Sequence, residues 1–147
     1  MQQGILFHSL FAPERATYVN QLVATLVDPD VERLRAAFDA AVPRHDFLRT
    51  GFSAHEAAPM QIVHRHARMP VEIVYWRGAH ASPAALDTAL DAWLFADRAL
   101  VFYLAAPPLM RVTLIRTDDS DWWLVWIRHY LLLDGWSTAR FVRGLSV

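Results

Sequence analysis

The stretch from Trp122 to Ser137, WWLVWIRHYLLLDGWS, limits what this chain can fold into more than any other. Its opening, Trp122-Trp123-Leu124-Val125-Trp126-Ile127, is apolar at every position. A short run of that kind, bounded by turn-formers, predicts a strand covered on both faces. Arg128, His129 and Tyr130 follow inside that apolar setting, and after three leucines the chain reaches the turn pair Asp134-Gly135. Ser137 then offers an N-cap for a short helix carrying Phe141, Val142 and Leu145. A rigid strand delivering polar groups to a sharp exit fixes side chains at the mouth of a crevice.

Upstream, Thr17 to Val27 alternates and is rich in β-branched residues, which predicts a strand. Asp28-Pro29-Asp30 predicts a helix start capped by Asp28, with Val31, Leu34, Phe38 and Ala41 on its inner face and an end near Val42-Pro43. Arg44 to Phe52, RHDFLRTGF, reads as a turn entering a strand, followed by strands over Gln61–His66 and Val71–Trp76. Ser82-Pro83 caps a further helix with an apolar stripe of Leu86, Leu90, Trp93 and Leu94 that fades by Asp97. A proline-containing connection, Phe102 to Pro108, leads to a strand over Leu109–Arg116 that hairpins back through Thr117–Asp121. With a first short helix over Gly4–Phe11, the order is α-β-α-β-β-β-α-β-β-α, an α+β or layered α/β chain.

The hydrophobic fraction of 54% and charged fraction of 20% exclude a disordered chain, and 147 residues suffice for one domain or one lobe of a larger one. A net charge of −1, with no charged block, gives no surface for nucleic acid or a membrane. The absence of cysteine excludes disulfides and thiolate nucleophiles. No apolar segment is long enough to span a bilayer and no signal peptide opens the chain, so the expectation is a cytoplasmic protein. His64 and His66 would share one face of a strand, but no third ligand is placed, and no metal is expected. Neither a Gly-rich phosphate loop nor a nucleophile elbow is present.

Three stretches are left: Gly4 to Leu10, GILFHSL; Arg44 to Thr50, RHDFLRT; and Arg128 to Ser137, RHYLLLDGWS. Together they resemble the amino-terminal half of a condensation domain of nonribosomal peptide synthetases, in the chloramphenicol acetyltransferase-like superfamily. The first resembles the tail of that family's first motif. The second resembles RHExLRT with Asp46 for glutamate, and Phe102 to Val112 is similar to FDLxxxPLLRV with Tyr103 for aspartate. Counting back from Asp134-Gly135, the third motif, HHxxxDG, places its first histidine at His129 and its second at Tyr130.

The resemblance implies a chloramphenicol acetyltransferase-like lobe, a mixed sheet flanked by helices. It implies a family reaction of amide bond formation between carrier-bound aminoacyl or peptidyl thioesters. The second histidine is the family's catalytic group, so Tyr130 stands at the catalytic position, with His129, Asp134 and Gly135 around it. Imidazole exchanges a proton near pH ~6.5, whereas a phenol, with pKa near ~10, is mostly a donor at pH 7. Tyr130 is therefore expected to be a poor general base, and His129, one residue off, is expected to point away from the crevice. Asp134 is expected to pair with Arg44 as a brace, with His45 and Arg49 completing the structural motif. No cofactor is expected on the chain itself; phosphopantetheine would arrive on partner peptidyl carrier proteins. The family's active site lies between two lobes, so the resemblance implies one lobe truncated at both ends, lacking the carboxy-terminal lobe and inactive alone. The alternative is a non-catalytic docking or interface element for a carrier protein or tailoring enzyme.

Overall fold

The computed structural model describes residues 19–55 and 58–132. Within them, strand β1 (Val19–Val27), helix α1 (Val31–Ala41), strands β2 (Thr50–His55), β3 (Ala58–Val63) and β4 (Val71–Tyr75), helix α2 (Pro83–Arg98) and strands β5 (Met110–Arg116) and β6 (Asp121–His129) follow in order. The segments over Gly4–Phe11 and from Leu133 onward, with Asp134, Gly135 and the helix expected after Ser137, lie outside the described residues.

Strands β1, β6, β5 and β4 form a mixed sheet in that order. The outer pair β4 and β5 is parallel, and the two other pairings are antiparallel. A parallel pair cannot be closed by a tight turn, so the chain between β4 and β5 needs a long crossover, and α2 supplies it. The β5–β6 pair is the expected hairpin, with Arg116 opposite Trp122 and Met110 opposite Arg128. Strands β2 and β3 form a separate hairpin.

The central strand is covered on both faces, as its unbroken apolar run demands. On one side Trp126 and Leu124 pack with Met110, Val112 and the inner residues of α1, Leu34, Phe38 and Ala41. On the other, Val125 and Ile127 pack with Leu90, Trp93 and Leu94 of α2. A third cluster of Phe52, Leu104, Leu109 and Leu131 joins the β2–β3 hairpin to the connection before β5 and to the exit of β6. Burying one leucine fully contributes about 1.5–3 kcal/mol, and Leu48, Leu109 and Leu114 are all wholly inside.

Two local expectations shift. Helix α1 is capped by Asp30, whose carboxylate accepts from the Arg33 N–H at 2.9 Å. Asp28 sits two residues earlier with φ of 45°, in the left-handed region, its N–H given to the Ser120 carbonyl. Of the two aspartates in Asp-Pro-Asp, the one after the proline is left to cap the helix. Strand β3 ends at Val63, three residues short of the expected end, because Arg49 takes the main chain of His64 from both sides. Ser82 caps α2 as expected, accepting from the Ala85 N–H at 3.1 Å.

Candidate functional site

The exit of β6 separates its two candidate residues by strand alternation. His129 lies on the α2 side and is 5% exposed, its ring edge-on to Phe102 at 6.5 Å between centroids. Its Nδ1 accepts the Leu131 N–H at 3.1 Å, which puts the imidazole proton on Nε2 in the neutral form. Burial pushes its pKa down to about 4, so the ring is neutral at pH 7. Tyr130 turns the other way and is 42% exposed. The Asn20 side-chain amide donates to its hydroxyl oxygen at 3.1 Å, across from β1.

Arg128 shares the Tyr130 side. It is 6% exposed, and its guanidinium lies 4.9 Å from the Trp126 ring centre. Its Nε and Nη1 have no hydrogen-bond partner among the described residues. Burial lowers its pKa, opposed by the nearby Tyr130 oxygen.

The stretch RHDFLRT forms two successive 3₁₀ turns, Val42–Arg44 and Asp46–Arg49. Arg49 holds them. Its Nε donates to the Val42 carbonyl at 3.3 Å, its Nη1 to the His64 carbonyl at 2.8 Å, and its Nη2 pairs with the Asp46 carboxylate. Thr50 adds a bond from its hydroxyl to the Asp46 carbonyl at 2.8 Å. His45 stands over Phe47 at 5.4 Å between rings, and Arg44 faces solvent. The expected Arg44–Asp134 brace lies outside the described residues on its Asp134 side. Gly51 is required where it sits: a Cβ there would lie 2.9 Å from the Ala105 carbonyl oxygen, and Phe52 N–H bonds the Leu104 carbonyl at 2.7 Å.

Sequence reasoning missed a second polar centre. Asp97 sits in the buried face of α2 and is 5% exposed. Arg111 grips it with Nη2 to Oδ2 at 2.9 Å and Nε to Oδ1 at 3.2 Å, and also bonds the Asp97 and Leu100 carbonyls. Gln21 joins from β1 at 3.4 Å, and the Arg111 guanidinium lies 4.4 Å over Phe102. An acidic residue at the inward end of an apolar helix stripe was the available signal. Asn20 carried no signal at all, because its role depends on strand register.

His64 and His66 fall beyond β3 and do not share a strand face. Among the described residues no three His, Cys, Asp or Glu side chains gather to hold a metal, and no helix is long and apolar enough to cross a membrane. An open groove of about 570 Å³, lined by Trp76, Trp123 and the acids Asp87, Asp118 and Asp121, lies at the start of β6, the opposite end from Tyr130.

A family model, the condensation domain, matches residues 1–147. The chain belongs to the condensation domain family. This condensation-domain segment is 45% identical over 140 residues to one of the linear gramicidin synthase subunits of Brevibacillus parabrevis, a match that covers 94% of the chain and 3% of that protein. It is 34% identical over 140 residues to bacitracin synthase 1 of Bacillus licheniformis, covering 92% of the chain and 3% of that protein. The segment thus spans a small fraction of the curated relatives it matches. Its fold superimposes on the first condensation domain of the calcium-dependent antibiotic synthetase with a TM-score of 0.82 at 22% identity, over 98% of this chain and 34% of that one. On a four-domain nonribosomal peptide synthetase bound to AMP and glycine the TM-score is 0.85 at 18% identity, over 99% and 11% of the two chains. Among the described residues the segment is a mixed α+β arrangement of a four-stranded sheet, a two-stranded hairpin and two α-helices, and it matches part of those condensation-domain structures.

Proposed function

We propose that this condensation-domain segment forms one lobe of a domain whose family reaction is amide bond formation between carrier-bound thioesters, and that the segment alone does not carry out that reaction. The observation behind this reading is the exit of β6. A half-exposed phenol, Tyr130, stands where HHxxxDG expects the catalytic imidazole, while the neighbouring imidazole of His129 is buried on the other side of the sheet. A general base must reach the proton it removes, and His129 does not reach the Tyr130 side. The small share of each relative that the segment covers supports the same view: peptidyl carrier proteins bearing phosphopantetheine, and a second lobe, are its proposed partners.

The test is condensation between two aminoacyl-loaded carrier proteins. The 147-residue chain is expected to give no dipeptidyl product above background. The same chain supplemented with a carboxy-terminal lobe from a homologous condensation domain is expected to gain activity on Tyr130→His, by roughly the 10²–10⁴-fold that a positioned acid–base group contributes. Turnover by the unsupplemented chain overturns the reading, and so does equal turnover by the two supplemented forms.

A docking role is the second reading, favoured by one observation. Phe95, Leu100, Val101 and Tyr103, close in sequence at the end of α2 and just beyond it, are all at least half exposed. Apolar side chains gathered in this way fit a protein partner better than water.

A further inference from the structure

Arg128 presents an unusual situation for a buried cation. Guanidinium groups inside proteins are held by carboxylates or carbonyls, because the charge cannot be shed at any ordinary pH. Here the Nε and Nη1 hydrogens find no acceptor among the described residues, and the guanidinium lies 4.9 Å from the Trp126 ring centre. The position is also specific. Arg128 lies directly opposite Asn20 in the register of β1 and β6, two residues before Tyr130 and on the same side of the strand.

The second observation concerns the direction of the Tyr130 proton. Asn20 Nδ2 donates to the hydroxyl oxygen at 3.1 Å, which occupies the oxygen as an acceptor. A phenol has one O–H to give, and with its oxygen taken by a donor that hydrogen is left for an acceptor outside this pair. Tyr130 thus presents a donor at a half-exposed strand exit, and Arg128, buried two residues earlier on the same side of the sheet, carries donors only. An imidazole base at the same place would receive a proton; this arrangement gives one.

We propose that Arg128 and Tyr130, with Asn20 as the residue that sets the Tyr130 hydroxyl, form a site for an acyl oxygen carrying negative charge. Two sources share that chemistry. One is the carboxylate of a free acid. The other is a thioester carbonyl as its oxygen gains charge under attack. Arg128 supplies the positive charge and Tyr130 the directed hydrogen bond, the division of labour found wherever buried donors meet a developing oxyanion. The proposal rests on the reading of this strand exit as the place where an acyl group is handled. It is tested by binding, so it can fail while the condensation reading stands, and it can hold in a chain that never turns over.

The experiment follows the arginine Nε–H resonances of the 15N-labelled 147-residue chain by NMR, with Arg128 assigned through Arg128→Lys. N-acetylglycine, its N-acetylcysteamine thioester and N-acetylglycinamide are titrated separately. The expected result is a saturable movement of the Arg128 resonance with N-acetylglycine, a smaller one with the thioester and none with the amide. A movement with the thioester that equals or exceeds that of the acid assigns the site to the carbonyl source. Tyr130→Phe, a conservative change at a half-exposed position, is expected to weaken N-acetylglycine binding about tenfold, the loss of one hydrogen bond to a charged group. Asn20→Ala is expected to weaken it less, by misdirecting the hydroxyl. The proposal is overturned if the resonance is unmoved by both acid and thioester, or if Tyr130→Phe binds as the parent does. It is also overturned if Asp134→Asn shifts Arg128 in the free chain, since the charge is then already met from within.

Discussion

Arg111 and Arg128 sit on adjacent antiparallel strands one register step apart, and they face opposite sides of the sheet. On the α2 side, Arg111 has its charge met by Asp97 in two bonds, two further carbonyls, and the face of Phe102. On the α1 side, Arg128 is more deeply buried and has the Trp126 face, with two of its nitrogens unpartnered among the described residues. The same side chain thus does two different things in one sheet. Where a carboxylate meets the charge, the arginine pins a helix end to a strand. Where donors are left over beside a half-exposed hydroxyl, the fold carries a cost that packing alone does not explain, and such costs gather at functional sites.

The sharpest way to break this contrast is a pair of substitutions with opposite expected signs. Asp97→Ala leaves the Arg111 charge buried without its carboxylate and is expected to destabilise by about 3 kcal/mol, near the low end for a broken buried pair because Arg111 retains some solvent contact. Arg128→Met removes a cation that has no carboxylate among the described residues, and is expected to be neutral or to stabilise by about 1 kcal/mol. Urea denaturation of both variants against the parent measures the two values. Equal losses would mean that the two arginines are structurally equivalent, and the distinction between the faces would collapse.

His129 sharpens the comparison through pH. It belongs to the satisfied side, neutral and accepting the Leu131 N–H. Its folded pKa is depressed to about 4, against an unfolded value near 6.5. A depressed histidine means that the unfolded chain takes up the proton first, so stability from this group is complete above about pH 6.5 and is lost as pH falls toward 4. The loss approaches about 3 kcal/mol at the acid end. His129→Gln removes the titration, so the difference in urea midpoint between variant and parent is expected to change between about pH 7 and pH 4.5. A constant difference would place His129 in water, contrary to its burial.

Much of this was legible in the sequence, for a physical reason. The run from Trp122 to Ile127 has no wet face, so it had to be a central strand, and the Ser82-Pro83 start and the β5–β6 hairpin follow from local chemistry that tertiary packing did not override. The RHDFLRT stretch was legible as a turn, although Arg49 proved to be its clamp. The opposite facing of His129 and Tyr130 followed from strand alternation alone. What was not legible depended on which residues sit across from one another. Asn20 meets Tyr130 only because β1 pairs with β6 in one register, and Asp97 meets Arg111 only because α2 ends over β5. Neither pairing has a local signal.

The smallest effect tests the one capping assignment that shifted. In Asp28-Pro29-Asp30 the sequence pattern favours Asp28 as the cap, since proline prefers the first helical position. Helix α1 instead begins after Asp30, and only the Asp30 carboxylate reaches the free N–H of Arg33. Losing an N-cap carboxylate costs about 1 kcal/mol, so Asp30→Ala is expected to lower stability by that amount in a urea melt. Asp28 occupies a left-handed conformation with φ of 45°, where a Cβ is a burden and glycine is at ease. Asp28→Gly is therefore expected to leave stability unchanged or to raise it by a few tenths of a kcal/mol. If Asp28→Gly proves the more costly of the two, the helix starts two residues earlier than this geometry allows.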